Sequence, residues 1–204
     1  MERYELATLT VTLGSTTKAG DNVAEFCKSG EAGGAFLGCW VTEIGKLNQI
    51  FVLRGFQTAG EADAERRRTL LHSNPFHSAD IMTGLSLETM IPFPDLPPVE
   101  PGAFGPIYEF RTYVLKHGGI APTLEGWAEK LPARTAMSKL LLAMYPVDGS
   151  PRITHIWPWA SLEERARIRA ESVKVGAWPP KSAVWVSPDM TSTIALPHGV
   201  SPLT

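Results

Sequence analysis

The chain has 204 residues, 44% of them hydrophobic and 20% charged, with a net charge of −2 and a pI of about 6.2. That is enough to bury a real core in one large domain or in two of about 100 residues each. It excludes the basic face a nucleic-acid binder needs, and no apolar run approaches the roughly 20 residues of a membrane span.

Met1-Glu2-Arg3 leads straight into an alternating segment from Tyr4, with no apolar stretch of the signal-peptide kind, so a cytoplasmic protein is expected. The segment Tyr4-Glu5-Leu6-Ala7-Thr8-Leu9 reads as a strand. Cys27 and Cys39 form neither a disulfide framework nor a zinc-ligand pattern and read as reduced, partly buried thiols. Gly45 to Phe56 reads as a turn followed by a strand, and Thr58-Ala59-Gly60-Glu61 is a capping box that opens a helix. The run Arg66-Arg67-Arg68 stands among Glu61, Asp63 and Glu65 and reads as a solvated helix face. His72 and His77 flank Asn74-Pro75 at a spacing that does not align them on a helix, so no metal site is expected there. Ile91 to Ile107 carries Pro92, Pro94, Pro97, Pro98, Pro101 and Pro106 and reads as an extended, semi-rigid connector.

Beyond the connector the order repeats. Tyr108-Glu109-Phe110-Arg111-Thr112-Tyr113 echoes Tyr4 to Leu9, and the strand continues to Leu115. Thr123 to Lys139 has helical spacing at Leu124, Trp127, Leu131 and Met137, with a kink or restart expected at Pro132. Leu140 to Tyr145 suits a doubly buried strand. Gly149 to Trp159 echoes Gly45 to Phe56, with a strand from Ile153. Ser161-Leu162-Glu163-Glu164 matches the first capping box, and Met190 to Pro197 echoes Leu85 to Pro92, with a last strand expected over Thr191 to Leu196. Three echoes in one order at nearly constant offset mark a tandem duplication. The fold class is α+β: two tandem β-α-β-β-α-β ferredoxin-like units, 1–93 and 107–204, joined by a Pro-rich linker at 94–106. Each sheet would carry its helices on one face, and the two bare faces could bury each other.

The opening strand Tyr108 to Tyr113 with Leu115-Lys116 and Gly118, the segment His155-Ile156-Trp157-Pro158-Trp159, then Ser161 to Arg165, Arg169 and Trp178, resemble the NIPSNAP family. The likeness is specific over about 108 to 178 and weaker over 4 to 93, where the first copy is degenerate. It implies the dimeric α+β barrel superfamily, whose two sheets come from two subunits or from fused halves. That superfamily holds cofactor-free monooxygenases, cyclases, isomerases and haem enzymes, so the resemblance does not select one chemistry.

Phosphate-loop, dinucleotide, zinc-protease and nucleophile-elbow motifs are all missing. What remains is a constellation in the second copy. Glu109, Arg111 and Tyr113 share one strand face, and His155, Trp157 and Trp159 form a second row. The catalytic candidates are Arg111, to hold an oxygen, and His155 or Tyr113, to move a proton. Glu109, Trp157 and Trp159 are candidates for shaping the ligand pocket. Each also has a structural reading: Glu109 and Arg111 as a mutual pair, His155 as a satisfied core histidine, the tryptophans as core. The first copy has Ala7, Leu9, Val52 and Arg54 at the positions of Arg111, Tyr113, His155 and Trp157, which favours a function confined to the second copy.

Two functions follow. One is an enzyme without organic cofactor, of isomerase, cyclase, lyase or oxygenase type, acting on a small organic acid or aromatic compound. The other is a non-catalytic ligand-binding or scaffold barrel. A cavity reached by both Arg111 and His155 favours the first, and a filled interior with those side chains paired to the protein favours the second. Haem held by His155 is a further option that the resemblance implies. The barrel is expected within one chain, with homodimerisation through exposed strand edges.

Overall fold

A computed structural model describes residues 1–204. The alternating segments form strands and the capped, charged segments form helices, in the order β1 (Arg3–Val11), α1 (Thr16–Lys28), β2 (Ala35–Ile44), β3 (Gln49–Phe56), α2 (Ala59–Leu71), β4 (Met82–Pro92), β5 (Ile107–Leu115), α3 (Ile120–Thr135), β6 (Leu142–Pro146), β7 (Arg152–Trp159), α4 (Leu162–Lys174) and β8 (Val186–Pro197). Each half is a β-α-β-β-α-β unit, and together they form one closed antiparallel barrel with the strand order β1-β3-β2-β8-β5-β7-β6-β4.

Period-two alternation divides the side chains between two environments. Tyr4, Leu6, Phe51, Leu53, Tyr108, Phe110 and Ile156 point into the barrel, where they meet Trp40, Leu142 and Met144 in a core drawn from both halves. Phe110 lies 4.7 Å from Phe51 and 5.2 Å from Trp40, ring centre to ring centre. Burying a side chain of this size stabilises by about 1.5–3 kcal/mol, so either half-sheet alone would leave much of its stabilising surface in water. Outside the barrel, the first sheet packs Ala7, Leu9, Ile50 and Val52 with Val23 and Phe26 of α1. The second packs Ile153, Trp157 and Trp159 with Trp127 of α3 and Ile168 of α4.

Gly38 in β2 is required by that inner packing, because a Cβ there would come within 2.0 Å of the Trp40 ring. The connector and the C-terminal tail cover the end of the barrel where β1 and β5 begin. Val99 donates its amide to the Tyr4 hydroxyl at 2.9 Å, the Tyr108 hydroxyl donates to the Thr204 carbonyl at 3.2 Å, and Leu203 is fully buried. Gly105 turns the connector into β5 at a φ of 151°, where a Cβ would meet the Trp159 carbonyl at 2.6 Å.

The structure differs from the sequence reading at several boundaries. Ile91 and Pro92 belong to β4 rather than to the connector: they pair with Tyr145 and Met144 of β6 and help close the barrel. Pro92 is the last residue of β4, so the amide it lacks falls at the end of the ladder and not within it. Helix α3 runs through Pro132 without a restart and ends at Thr135 instead of Lys139. Pro132 sits in the last turn and the helix continues past it, with Ala136 donating to its carbonyl at 3.2 Å; the amide it lacks removes only the bond to the Ala128 carbonyl. β8 begins five residues early, at Val186 rather than Thr191. The arginine run is only partly solvated: Arg66 donates to the Leu87 carbonyl at 2.7 Å and Arg68 to Glu65 at 2.8 Å, while Arg67 is exposed. The edges expected to drive homodimerisation are used within the chain, by β2–β8 pairing from Trp40↔Pro197 to Ile44↔Ile194 and by the β4–β6 pairing. Self-association would have to use another surface.

Candidate functional site

The register of β5 on β7 sets Glu109 opposite Trp157 and Arg111 opposite His155, so both rows lie side by side on the outer face of the second sheet, beneath α3 and α4. Those helices add residues that the strand patterns did not mark. Trp127 and Arg134 project from the buried stripe of α3, and Arg165 and Arg169 lie one turn apart on α4. A charge in an otherwise apolar helical stripe (Trp127, Leu131, Arg134) is the sequence signal that could have found Arg134.

Glu109 is fully buried and its carboxylate is saturated. It pairs with Arg111, accepts from Arg165 and from the Ser192 hydroxyl at 2.7 Å each, and accepts from the Trp159 indole at 3.3 Å. Burial alone would raise its pKa; Arg165, Arg111 and Ser192 outweigh that and hold it at about 2. Glu109 is therefore tied up by its neighbours and is not among the residues lining the cavity described below. Arg111 is committed in the same way, bonding Glu109 and donating from Nε to the Tyr113 hydroxyl at 2.6 Å. It is not among the residues lining the cavity described below.

His155 is 2% exposed. The Trp157 indole donates to its Nδ1 at 2.6 Å, which leaves the ring hydrogen on Nε2. That nitrogen is buried without a partner. Burial holds the imidazole well below the usual histidine range, and the charges of Arg111, Arg169 and Arg134 push it the same way against the opposing Glu109. At neutral pH the His155 ring is thus neutral, with Nδ1 engaged by the indole and Nε2 carrying an unused hydrogen. Tyr113 and Trp127 meet its ring edge-on, each at 4.9 Å.

A recess of about 40 Å³ lies against His155, Arg134, Trp157, Trp159 and Ser172. It shares Tyr113, Arg169, Val173 and Trp178 with a larger cavity of about 520 Å³ that also includes Thr123, Trp127, Pro188 and Met190. The arginines around the recess outnumber the carboxylates. Arg134 lies 4.4 Å above the Trp157 ring and bonds only Ser138; burial, with help from Arg169, lowers its pKa to about 10. Arg169 is half-buried, has no ion pair, and is lowered by burial and by Arg111.

Comparison with known proteins agrees with this architecture. A family model described as NIPSNAP matches residues 4–90 and, a second time, 108–202. The chain belongs to the NIPSNAP family. It is 27% identical over 145 residues to the Protein NipSnap homolog of Dictyostelium discoideum, a match covering 70% of this chain but 65% of that relative. The fold is similar to that of a candidate monooxygenase from Lactobacillus acidophilus, with a TM-score of 0.68 and 10% identity over 97% of this chain and 95% of the other. It is also similar to an anthrone oxidase-like protein, with a TM-score of 0.67 and 10% identity over 96% and 91%. At that identity the likeness concerns the fold alone.

Haem does not fit this NIPSNAP repeat at His155. The recess against it, about 40 Å³, holds no porphyrin, and the rings of Tyr113 and Trp127 each stand 4.9 Å from the imidazole, leaving no room for a macrocycle beside it. The remaining histidines form no metal-binding group: His72 and His77 both approach Glu31, at 3.6 and 3.4 Å. Both cysteines are free, and burial raises the Cys27 thiol to about 11. No helix is long and apolar enough to cross a membrane.

Proposed function

We propose that the second repeat binds a small organic acid or carbonyl-bearing aromatic compound and moves a proton on it, as an enolising enzyme of the isomerase, cyclase, lyase or oxygenase type. The observation that carries this reading is the buried, unpartnered Nε2–H of His155 at the end of a cavity with unmatched guanidinium charge. In this reading Arg169 holds the anionic group, and His155 donates to the oxygen on which charge develops during enolisation. Tyr113 moves the proton. Its oxygen already accepts from Arg111 and belongs to a side chain that lines the cavity; in the proposed step it takes the α-hydrogen as a proton and returns it to carbon. Arg111 then acts through Tyr113 as a positioning residue. Proton transfer of this kind is complete with protein groups.

A binding role without turnover is the second reading. It is favoured by the absence of any carboxylate in the cavity wall, which leaves Tyr113 as the one proton-moving group.

The test is proton exchange. In D₂O, the α-hydrogen of an aryl-substituted 2-oxo acid should exchange faster with the protein than without it, as read by NMR. Tyr113→Phe should abolish the acceleration while the acid still binds. Binding without acceleration in the unaltered protein would leave the carrier reading, and failure of 2-oxo acids and benzoates to bind would end both.

A further inference from the structure

The wall of the larger cavity contains a single charged side chain, Arg169. The rest is aromatic, aliphatic, proline or small and neutral, including Trp127, Val173, Trp178, Pro188 and Met190. At about 520 Å³ the cavity lies within the range of small-molecule sites, whereas the recess against His155, at about 40 Å³, takes only a head group of a few atoms. The rim continues the apolar character outward: Val173 is 60% and Met190 53% exposed, and Val184, beside the cavity residue Ala183, is 69% exposed. Exposed aliphatic side chains gathered at a cavity mouth mark contact with an apolar ligand or surface.

From this gradient, and resting on the anion reading above, we infer that the ligand is an amphipathic monocarboxylic acid. Its carboxylate or 2-oxo head faces Arg169 and His155, and its apolar body lies along Trp127 and Trp178 and leaves between Val173 and Met190. A second charge on the body would meet no counter-ion in the wall and would lose its hydration. Sugar phosphates, dicarboxylates and amino acids are therefore poor ligands, although each offers the anionic head that Arg169 requires.

Isothermal titration with butanoate, octanoate and dodecanoate, kept below their micelle concentrations, and with phenylacetate and 4-phenylbutanoate, tests this. Affinity should rise with chain length, by at most about fourfold for each buried methylene, and level off once the cavity is filled. Dodecylamine, with the same tail and the opposite charge, should bind at least tenfold more weakly than dodecanoate. Met190→Glu and Val173→Glu alter exposed side chains, so the variants should fold, and they should flatten the chain-length series by placing charge at the exit. If affinity is independent of length while phenylacetate still binds in an Arg169-dependent manner, the amphipathic inference is overturned and the anion site stands. If dodecylamine binds as tightly as dodecanoate, the cavity is a greasy surface without a head-group site, and both fall. If no acid binds, both fall as well.

Discussion

In the first repeat Arg54 is fully buried and its guanidinium is matched inside the chain. It donates to Glu5 from Nε at 3.1 Å and from Nη2 at 2.6 Å and pairs with Glu65, which Arg68 also binds. In the second repeat Arg111, Arg134, Arg165 and Arg169 gather on the equivalent face, and Glu109 is the only carboxylate paired with any of them. The difference extends to single positions. The caps Thr58 and Ser161 align α2 with α4 and so set Arg66 opposite Arg169. Arg66 finds the Leu87 carbonyl, and Arg169 finds nothing. Since both repeats solve the same folding problem, the first shows that this face can be built with balanced charge. The excess in the second therefore calls for a cause outside folding, and the anionic ligand proposed above would supply one.

The largest expected effect breaks the balanced side. Arg54→Met leaves Glu5 and Glu65 buried without their shared cation and should destabilise the protein by about 3–5 kcal/mol, on the order of 10 °C in Tm for a chain of this length. Arg169→Met removes a charge that no carboxylate answers. It should leave Tm unchanged or slightly raised while lowering affinity for an organic acid at least tenfold. Calorimetry on the two variants, each with and without octanoate, reads both quantities. Equal losses of stability would mean that the two repeats use arginine alike, and the functional contrast would be lost.

How much of this could be read from the chain follows from which contacts are local. The two strand rows were legible because alternation places Glu109 with Arg111 and His155 with Trp157 on one face, and the duplication aligned them with Ala7 and Val52. The same i, i+2 spacing explains the indole-to-imidazole bond and the Glu109–Arg111 pair. The choice between a ligand-binding and a committed Arg111 turned on Ser192 and Arg165, remote residues that complete the Glu109 cluster. Arg134 and Arg169 lie on helices whose rotation over the sheet no single-segment pattern determines. The barrel itself was expected from the duplication, but one of the ladders that close it was hidden: three pairs between β4 and β6, in a segment whose prolines read as connector.

The pH dependence of stability gives a second contrast of intermediate size. His155 faces Arg111, Arg134, Arg169, Glu109 and the Trp157 indole, and its folded pKa lies below the ordinary 6.5. Below that value the unfolded chain binds a proton at this position and the folded chain does not, so stability falls as pH drops. At pH 5.5 this loss reaches up to about 1.4 kcal/mol relative to pH 7.5. Glu109, depressed to about 2, acts in a separate window. Its stabilisation is complete above about pH 4.5 and is lost as pH falls towards 2. Val52, the counterpart of His155, does not titrate, so His155→Gln should bring the second repeat closer to the first. Denaturant titrations at pH 5.5 and 7.5 should give a smaller difference for the variant than for the unaltered protein. An unchanged difference would mean that His155 takes up its proton in the folded state, contrary to the neutral donor proposed above.

The smallest expected effect lies where the repeats agree. Thr58 accepts from the Glu61 amide at 3.2 Å and Ser161 from the Glu164 amide at 3.1 Å, with both hydroxyls satisfying an otherwise orphaned donor in the first helical turn. The reciprocal arm is also shared: Glu61 accepts from the Gln57 amide at 3.0 Å and Glu164 from the equivalent Ala160 amide at 2.8 Å, with Glu61 accepting in addition from the Thr58 amide at 3.3 Å. Thr58→Ala and Ser161→Ala should therefore each cost about 1 kcal/mol, with little difference between them. Ser161→Ala should also leave acid binding intact, because losing a cap frays the first turn of α4 while Arg169 lies two turns further along. A marked loss of affinity in that variant, at equal stability, would mean that the cap sets the height of the whole helix over the sheet. The guanidinium of Arg169 would then be positioned from the far end of α4, and the contrast between the repeats would extend from their charges to the seating of their helices.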